Sequence, residues 1–373
     1  MARDYGVALI GTGFMGGIHA RGHNLVRQIF PDSAGFPVLK VVADVTEQDA
    51  SAAAFRYSIP RWTTRWQDVL DDPEIEVVDI CAPPFMHKRI AIAAAEVGKH
   101  IYCEKPVGRG TDEPADILAA VRKAGVKTAV GLNYRWCPAL LYAKELLDAK
   151  RLGDIRIVRV LFFGDQDHLF EDRQWRWRMS AEHAGWGALA DIGSHAFDMA
   201  RHLVGDLTEI CGRTAIDVRE RPDPSQPGGG LREVDNDDTF AALVTFANGA
   251  TGVIEGSRTA VGSLARFEVE ITGSEGFLRW DFRRMNELEL FVYGEDRREA
   301  GITRIQTGPH HNIQGNFTPS TGHNIGYTEM KTVEIKSFFD ALARGENTCP
   351  NLDDYVAVSK YLEAVTKGGW VKV

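Results

Sequence analysis

Tyr5 to Ile10 reads YGVALI and runs without a break into Gly11-Thr12-Gly13-Phe14-Met15-Gly16; this junction decides the fold of the 373-residue chain. A short apolar run, then GxGxxG, then a helical pattern is the strand–turn–helix that holds a pyrophosphate. Gly11 permits the tight turn, Gly13 lets the backbone approach the phosphates, and Gly16 lets the helix pack closely on the strand. The helix N-terminus turns amide donors and its positive dipole end toward the same anion. Phe14 and Met15, inside the turn, are expected against the same ligand.

Outward from the turn the rhythm persists to about Leu132. VLKVVADV, VVDICA, HIYCE and TAVGLN read as strands, and RIAIAAAEVG and DEPADILAAVRKAG as helices between them. Strands alternating with helices predict βαβ units and a parallel sheet. The strands are rich in Val, Ile and Ala with little polar alternation, as expected where helices cover both faces. Asp44 ends the second strand, where an acid accepts hydrogen bonds from ribose hydroxyls and favours NAD over its 2′-phosphorylated form. Neither Val45 nor Thr46 offers a cation for a 2′-phosphate. Glu104-Lys105-Pro106 follows HIYC, and the carboxyl ends of such strands face the ligand crevice. Lys105 is therefore placed to hydrogen-bond a substrate hydroxyl or to stabilise a developing alkoxide.

Past Pro138 the pattern changes. A helix over 139–149 leads to IRIVRVLFFG, a Trp-rich polar stretch, and GALADIGSHAFDMARHLVG from Gly187 to Gly205. In that last stretch Leu189, Ile192, Ala196, Met199 and Leu203 recur at helical spacing, with Asp191, His195, Asp198 and His202 on a second stripe. An acid and an imidazole four residues apart share one side of a helix. Imidazoles titrate near ~6.5, which suits proton transfer at neutral pH. The stripe spans three turns, so one metal ion cannot reach all four side chains, and no metal is expected. TEICGRTAI, TFAALVTFA, ATGVIEGSR, RFEVEITGS, GFLRWDF and LELFVY then read as strands. Asn248-Gly249 and Gly273-Ser274-Glu275-Gly276 supply tight turns of an antiparallel sheet. Pro222 to Gly230 reads as an exposed loop, and helices near 328–343 and 353–366 close the chain. The boundary between an α/β first domain and an α+β second domain is placed at 132/133, giving 1–132 and 133–373.

Bulk composition narrows the function. A net charge of −9 argues against non-specific nucleic-acid binding, which needs a basic surface. Five cysteines, none spaced as CxxC, fit neither a disulfide framework nor a zinc knuckle and point to a reducing, cytoplasmic setting. The first apolar run is too short to span a membrane and lacks a signal-peptide layout.

GTGFMGGIH, EKP and GALADIGSHAFD, in this order, resemble the glucose–fructose oxidoreductase/inositol dehydrogenase/MocA-like family. The resemblance implies an N-terminal Rossmann domain with a parallel sheet and a C-terminal α+β domain built on a large open antiparallel sheet. It further implies a bound NAD, a sugar or cyclitol substrate, and a homodimer or homotetramer. Carried over by position, Lys105 matches the EKP lysine, and Asp191 and His195 match the acid and histidine of DxGxH. His195 is then the acid/base, Asp191 its orienting carboxylate, and Lys105 the partner of the same substrate oxygen. Many members carry a TPNxxH-like pattern where this chain has Ala82-Pro83-Pro84-Phe85-Met86-His87. Pro84 replaces the Asn, and Ala82, Pro83, His87 and Glu104 are expected beside the cofactor. Trp186 stands where a glycine is common. Substrate contacts are expected from Lys105, Tyr134, Arg135, Asp165, His168, Trp175, Arg178, Asp191, His195 and His323. The leading expectation is an NAD-dependent dehydrogenase acting on inositol, an aldose or an anhydrosugar such as levoglucosan. An NAD-dependent glycoside hydrolase or lyase and a non-catalytic nucleotide sensor are the alternatives.

Overall fold

The structure is a computed structural model describing residues 2–166, 173–226, 228–294, 297–348 and 350–373. The chain divides into two compact units, Met1–Trp136 with Ile325–Val356, and Cys137–Asn324 with Ala357–Val373.

In the first unit the strands are β1 (Arg3–Ile10), β2 (Gly35–Ala43), β3 (Arg61–Thr63), β4 (Val77–Ile80), β5 (His100–Cys103) and β6 (Thr128–Val130). They pair in parallel in the order β3-β2-β1-β4-β5-β6. That order, with the chain reversing direction across β1, is a Rossmann sheet. The helices are α1 (Phe14–Ile29), α2 (Glu47–Tyr57), α3 (Pro84–Glu96) and α4 (Asp112–Ala124). Tyr5 to Ile10 is buried throughout, as a strand covered on both faces must be. One face packs Ala8, Ile10, Val78 and Ile80 against Ile90, Ala94, Ile117 and Val121 of α3 and α4. Pro84 sits at the first position of α3, where a missing N–H costs nothing.

The second unit contains α5 (Pro138–Asp148), β7 (Ile155–Phe163), the short α6 (Ala181–Ala184), α7 (Ser194–Val204) and β8 (Leu207–Ala215). There follow β9 (Glu220–Pro222), β10 (Leu231–Glu233), β11 (Thr239–Phe246), β12 (Thr251–Ser257), β13 (Arg266–Gly273), β14 (Gly276–Asp281), β15 (Glu287–Val292) and β16 (Thr303–Gln306). Two helices, α8 (Tyr327–Arg344) and α9 (Leu352–Thr366), precede β17 (Trp370–Lys372). Nine strands form one sheet in the order β16-β15-β14-β13-β7-β12-β11-β8-β17. In β11 Phe240, Ala242, Val244 and Phe246 are buried while Ala241 and Leu243 are exposed, the alternation of a sheet with one open face.

Three expectations change. The boundary at 132/133 gives way to a returning chain, because α8 belongs to the first unit. Ile335, Phe338, Phe339 and Leu342 pack with Tyr5, Val7, Leu9 and Phe36 on the face that α1 covers. Asp340 fixes the helix by accepting from Ser33 Oγ at 2.7 Å and Ala34 N at 2.8 Å. The large sheet is antiparallel except at β7–β12, which pair in parallel. No hairpin joins those two strands, and the long connection through α7 leaves their direction free. Finally, the segment around 222–230 is bounded by the β9–β10 ribbon rather than being wholly irregular.

Candidate active site

The phosphate turn has the form its glycines require. Gly11 sits at φ +96°, and a Cβ there would lie 2.7 Å from the Cys81 carbonyl. A Cβ on Gly16 would lie 2.0 Å from the Gly11 oxygen, so strand and helix meet only because neither residue has a side chain. Over Gly13 the opposite holds: a Cβ would meet nothing within 4 Å. Gly13 caps α1 without a side-chain hydrogen bond, leaving the first amides of the helix facing that open space. Phe14 is 76% exposed at the helix start. Met15 Sδ accepts from Tyr327 Oη at 3.8 Å. Asp44 lies directly beside the turn. Its Oδ2 accepts from Thr12 N at 2.7 Å and from the Thr12 hydroxyl, and its Oδ1 from Val45 N at 2.6 Å. These residues fit a dinucleotide: amides and empty space for the phosphates, and a carboxylate next to them for ribose hydroxyls.

At the ends of β4 and β5 two expected cofactor contacts turn inward. His87 is buried, with Nδ1 2.9 Å from the Pro106 carbonyl and Nε2 2.6 Å from the Ala82 carbonyl. Burial lowers its pKa. Donating to one of these two carbonyls and packed against the other, His87 braces the β4–α3 turn at Ala82-Pro83 against the EKP segment. Glu104 is also buried, its Oε1 2.8 Å from Lys331 Nζ and 2.9 Å from His19 Nε2. Its Oε2 accepts the Lys105 amide at 3.2 Å. Lys105 itself is half-buried, and the Lys105–Pro106 bond is cis.

In the second unit Asp191 lies in a π-helical turn, Leu189–Gly193, that passes directly into α7. Such turns occur mostly as short interruptions of α-helices at functional positions. Asp191 is half-buried; His195, the second residue of α7, is 5% exposed with its ring 6.2 Å from that of Phe162. Asp237, which the sequence reading passed over, fixes the start of this element. Its two carboxylate oxygens accept from Gly187 N at 2.8 Å and Leu189 N at 2.7 Å, and its carbonyl accepts from Ala188 N at 2.8 Å. Burial raises the Asp237 carboxyl despite these donors. Arg258 clamps the neighbours, donating to Asp238 Oδ1 at 2.7 Å and Asn236 Oδ1 at 2.8 Å. The signal for this scaffold was the acidic run Asn236-Asp237-Asp238 placed just before β11. Asp198, on the same stripe as His195, is fully buried.

The remaining substrate candidates divide. Tyr134 and Arg135 are buried in the first unit: Tyr134 packs on Tyr327 at 6.3 Å, and Arg135 reaches Asp354 at 3.8 Å. Trp175 is held by packing, with Nε1 donating to the Glu233 carbonyl at 2.9 Å and Arg232 stacked 3.4 Å above its ring. Arg178 is exposed beside Trp177, Asp165 accepts from Gly262 N at 2.8 Å, and His323 is exposed and bonded to Ser320 at 2.8 Å. His168 lies outside the described residues. His19, Asp79 and Cys81 bring possible metal-ligand atoms within 4.8 Å of one another. Both nitrogens of His19 already meet carboxylates, and burial pushes the Cys81 thiol well above its ordinary value, away from the thiolate a metal needs.

Comparison with known proteins agrees with this architecture. Residues 5–132 match the family model described as an oxidoreductase family with an NAD-binding Rossmann fold, and residues 140–279 match a GFO/IDH/MocA C-terminal domain. The chain is 34% identical to levoglucosan dehydrogenase of Pseudarthrobacter phenanthrenivorans over 385 aligned positions, covering 100% of this chain and 98% of that one. It is 32% identical to scyllo-inositol 2-dehydrogenase (NAD(+)) of Bacillus subtilis, over 72% of this chain and 71% of the relative. Among solved structures, a levoglucosan dehydrogenase in complex with NADH and levoglucosan superposes with a TM-score of 0.94 at 35% identity, over 99% of each chain.

Proposed function

The chain belongs to the Gfo/Idh/MocA oxidoreductase family and is an NAD-dependent oxidoreductase, and on that premise we propose that it oxidises a secondary alcohol of a sugar or cyclitol, with an anhydropyranose such as levoglucosan foremost. The observation that carries this reading is the Asp191/His195 pair on a π-to-α junction whose first amides are pinned by Asp237. A nucleotide sensor has no use for a rigidly held acid–imidazole pair. The lean toward an anhydropyranose comes from end-to-end similarity to levoglucosan dehydrogenase at 34% identity, whereas an inositol 2-dehydrogenase that also spans 96% of the chain is 25% identical.

NAD would be held by Gly11, Gly13, Phe14, Met15 and Gly16 with Asp44 at the ribose, and when bound it supplies the acceptor for the hydride leaving the alcohol carbon. His195 takes the hydroxyl proton. Asp191 orients the imidazole and stabilises its charged form, and Lys105 donates a hydrogen bond to the oxygen as negative charge develops there.

Screening sugars and cyclitols with NAD and NADP, following NADH, tests the substrate class. Levoglucosan is expected to give net NADH accumulation; cleavage of a glycoside without accumulation would reassign the reaction. His195→Ala should lower kcat by about 10²–10⁴-fold with NADH affinity kept, and full turnover in that variant would remove His195 from the mechanism.

A further inference from the structure

Lys331, the fifth residue of α8, is fully buried. Burying an ammonium is expensive, and a buried ion pair replaced as a whole by well-packed apolar groups often loses no stability. Its neighbours show what the charge is for. Its Nζ lies 2.8 Å from Glu104 Oε1, 2.6 Å from Glu334 Oε2 and 3.3 Å from Tyr102 Oη. Tyr102 donates to Glu334 Oε2 at 2.5 Å, which fixes that end of the ammonium's cage.

A second cation reaches Glu104 from α1. His19 Nε2 lies 2.9 Å from the same Oε1, while its Nδ1 lies 2.9 Å from Asp79 Oδ2. Burial opposes a charge on His19, yet Asp79 and Glu104 together raise its pKa to about 9. Both ring nitrogens then donate. Glu104 is held ionised in turn: burial works against its charge, but Lys331 and His19 outweigh burial and lower its pKa.

The carboxylate also has no room to turn. A Cβ on Gly131 would lie 2.3 Å from Glu104 Oε1 and 2.9 Å from Oε2, so the group lies flat over a position kept open by glycine. Pinned on one oxygen by two charge-assisted donors and against Gly131 on one side, Glu104 presents Oε2 to the backbone N–H of Lys105. The root of the Lys105 side chain is thereby set by a residue that follows it in sequence by more than two hundred positions.

We propose that Lys331 is a positioning residue: by fixing the ionised Glu104 over Gly131, it sets the direction and electrostatic surroundings of Lys105. The inference rests on the proposed role of Lys105 at the substrate oxygen.

The test compares Lys331→Met, Glu104→Gln and the double variant in the full-length enzyme. Each single variant removes one charge of the buried Lys331–Glu104 pair and should melt lower; the double removes both and should regain part of that loss, Glu334 keeping only the Tyr102 hydroxyl. In the double variant NADH binding, read by fluorescence, should stay within about twofold of the wild type while kcat falls about 10- to 100-fold. Reductive ¹³C-methylation supplies a readout that needs no substrate. The Lys105 resonance, assigned by its loss in Lys105→Arg, should move in the double variant while other lysines hold. A double variant with wild-type kcat, or with the Lys105 resonance unmoved, would overturn the inference. Tyr102→Phe is the gentler arm if the double variant does not fold, since it loosens Lys331 without leaving a new unpaired charge. Its Lys105 resonance should be displaced in the same direction, and an unmoved resonance there also counts against Lys331. Wild-type enzyme inactive on every sugar and cyclitol would sink the dehydrogenase reading alone, because the resonance still decides the positioning role.

Discussion

The two units hold their candidate catalytic groups with the same device, a buried carboxylate, in opposite electrostatic settings. Beneath the β5 end that carries Lys105, Asp79 and Glu104 face His19, His23 and Lys331, side chains drawn from α1 and α8. Charged donors win there: burial would raise Asp79, but the two imidazoles bring it to about 2. Beneath the π turn that carries Asp191, Asp237 faces backbone amides, and burial wins, leaving its pKa raised. A support built on cations is strong while every charge is present and costly once one is missing. A support built on amides is weaker and less dependent on any one partner.

The sharpest way to break this contrast is Asp79→Asn. It strips a fully buried, charged His19 of its main counter-ion, and breaking such a pair costs about 3–5 kcal/mol. Chemical denaturation should show a loss of that order; a loss below about 1 kcal/mol would mean the cluster is not ionised as described. Asp237→Ala should be milder. It leaves the Gly187 and Leu189 amides without their acceptor, a penalty of about 1–3 kcal/mol. Turnover should suffer more than NADH affinity, because the disturbed element carries Asp191 and not the phosphate turn. Weakened NADH binding with unchanged kcat would contradict that division.

The contrast also explains what could be read in advance. The Rossmann unit was legible because its strands are locally consistent: apolar runs, a glycine turn and helices at fixed intervals. Gly11, Gly13, Gly16 and Asp44 sit where spacing placed them, since each is set by its own turn. The second sheet's hairpins were legible from Asn248-Gly249 and from Gly273 to Gly276, whose connected strands pair as expected. β3 escaped notice because Arg61-Trp62-Thr63 is three residues long and not buried. Lys331 and Glu334 gave no signal at all. On α8 they read as ordinary solvated charges three residues apart, and only the return of the chain onto the α1 face buries them. His87 and Glu104 were placed near the right strand ends without their buried partners, because those partners include Pro106, His19 and Lys331, none of which a linear pattern can locate.

The smallest predicted effect is a drift of stability with pH, and its sign separates the two supports. His19 has a folded pKa of about 9, above the ordinary 6.5. Its contribution is therefore fully present below about pH 6.5 and is lost as pH rises through 9. The groups facing it are Asp79 on β4, Cys81 just past β4 with its thiol pushed well up by burial, Tyr102 and Glu104 on β5, His23 on α1 and Lys331 on α8. Asp79 and Glu104, both lowered, lose their contribution only in acid. Tyr102 and Lys331, both raised, change only in strong base. His23 is lowered by burial, so its contribution is present above its ordinary value and falls away below it. Among His19 and the groups facing it, the drift between pH 6.5 and 8.5 thus belongs to His19, and it is downward. Linkage caps it at about 1.4 kcal/mol per pH unit, or roughly 2–4 °C in the melting midpoint for a domain of this size. His19→Gln should flatten the slope over that window while lowering the plateau. Asp237→Ala, whose support is built on backbone amides, should lower the plateau and leave the slope alone. If both variants kept the wild-type slope, His19 would not be the ionised centre of the cluster, and the distinction between a charge-built and an amide-built support would fail with it.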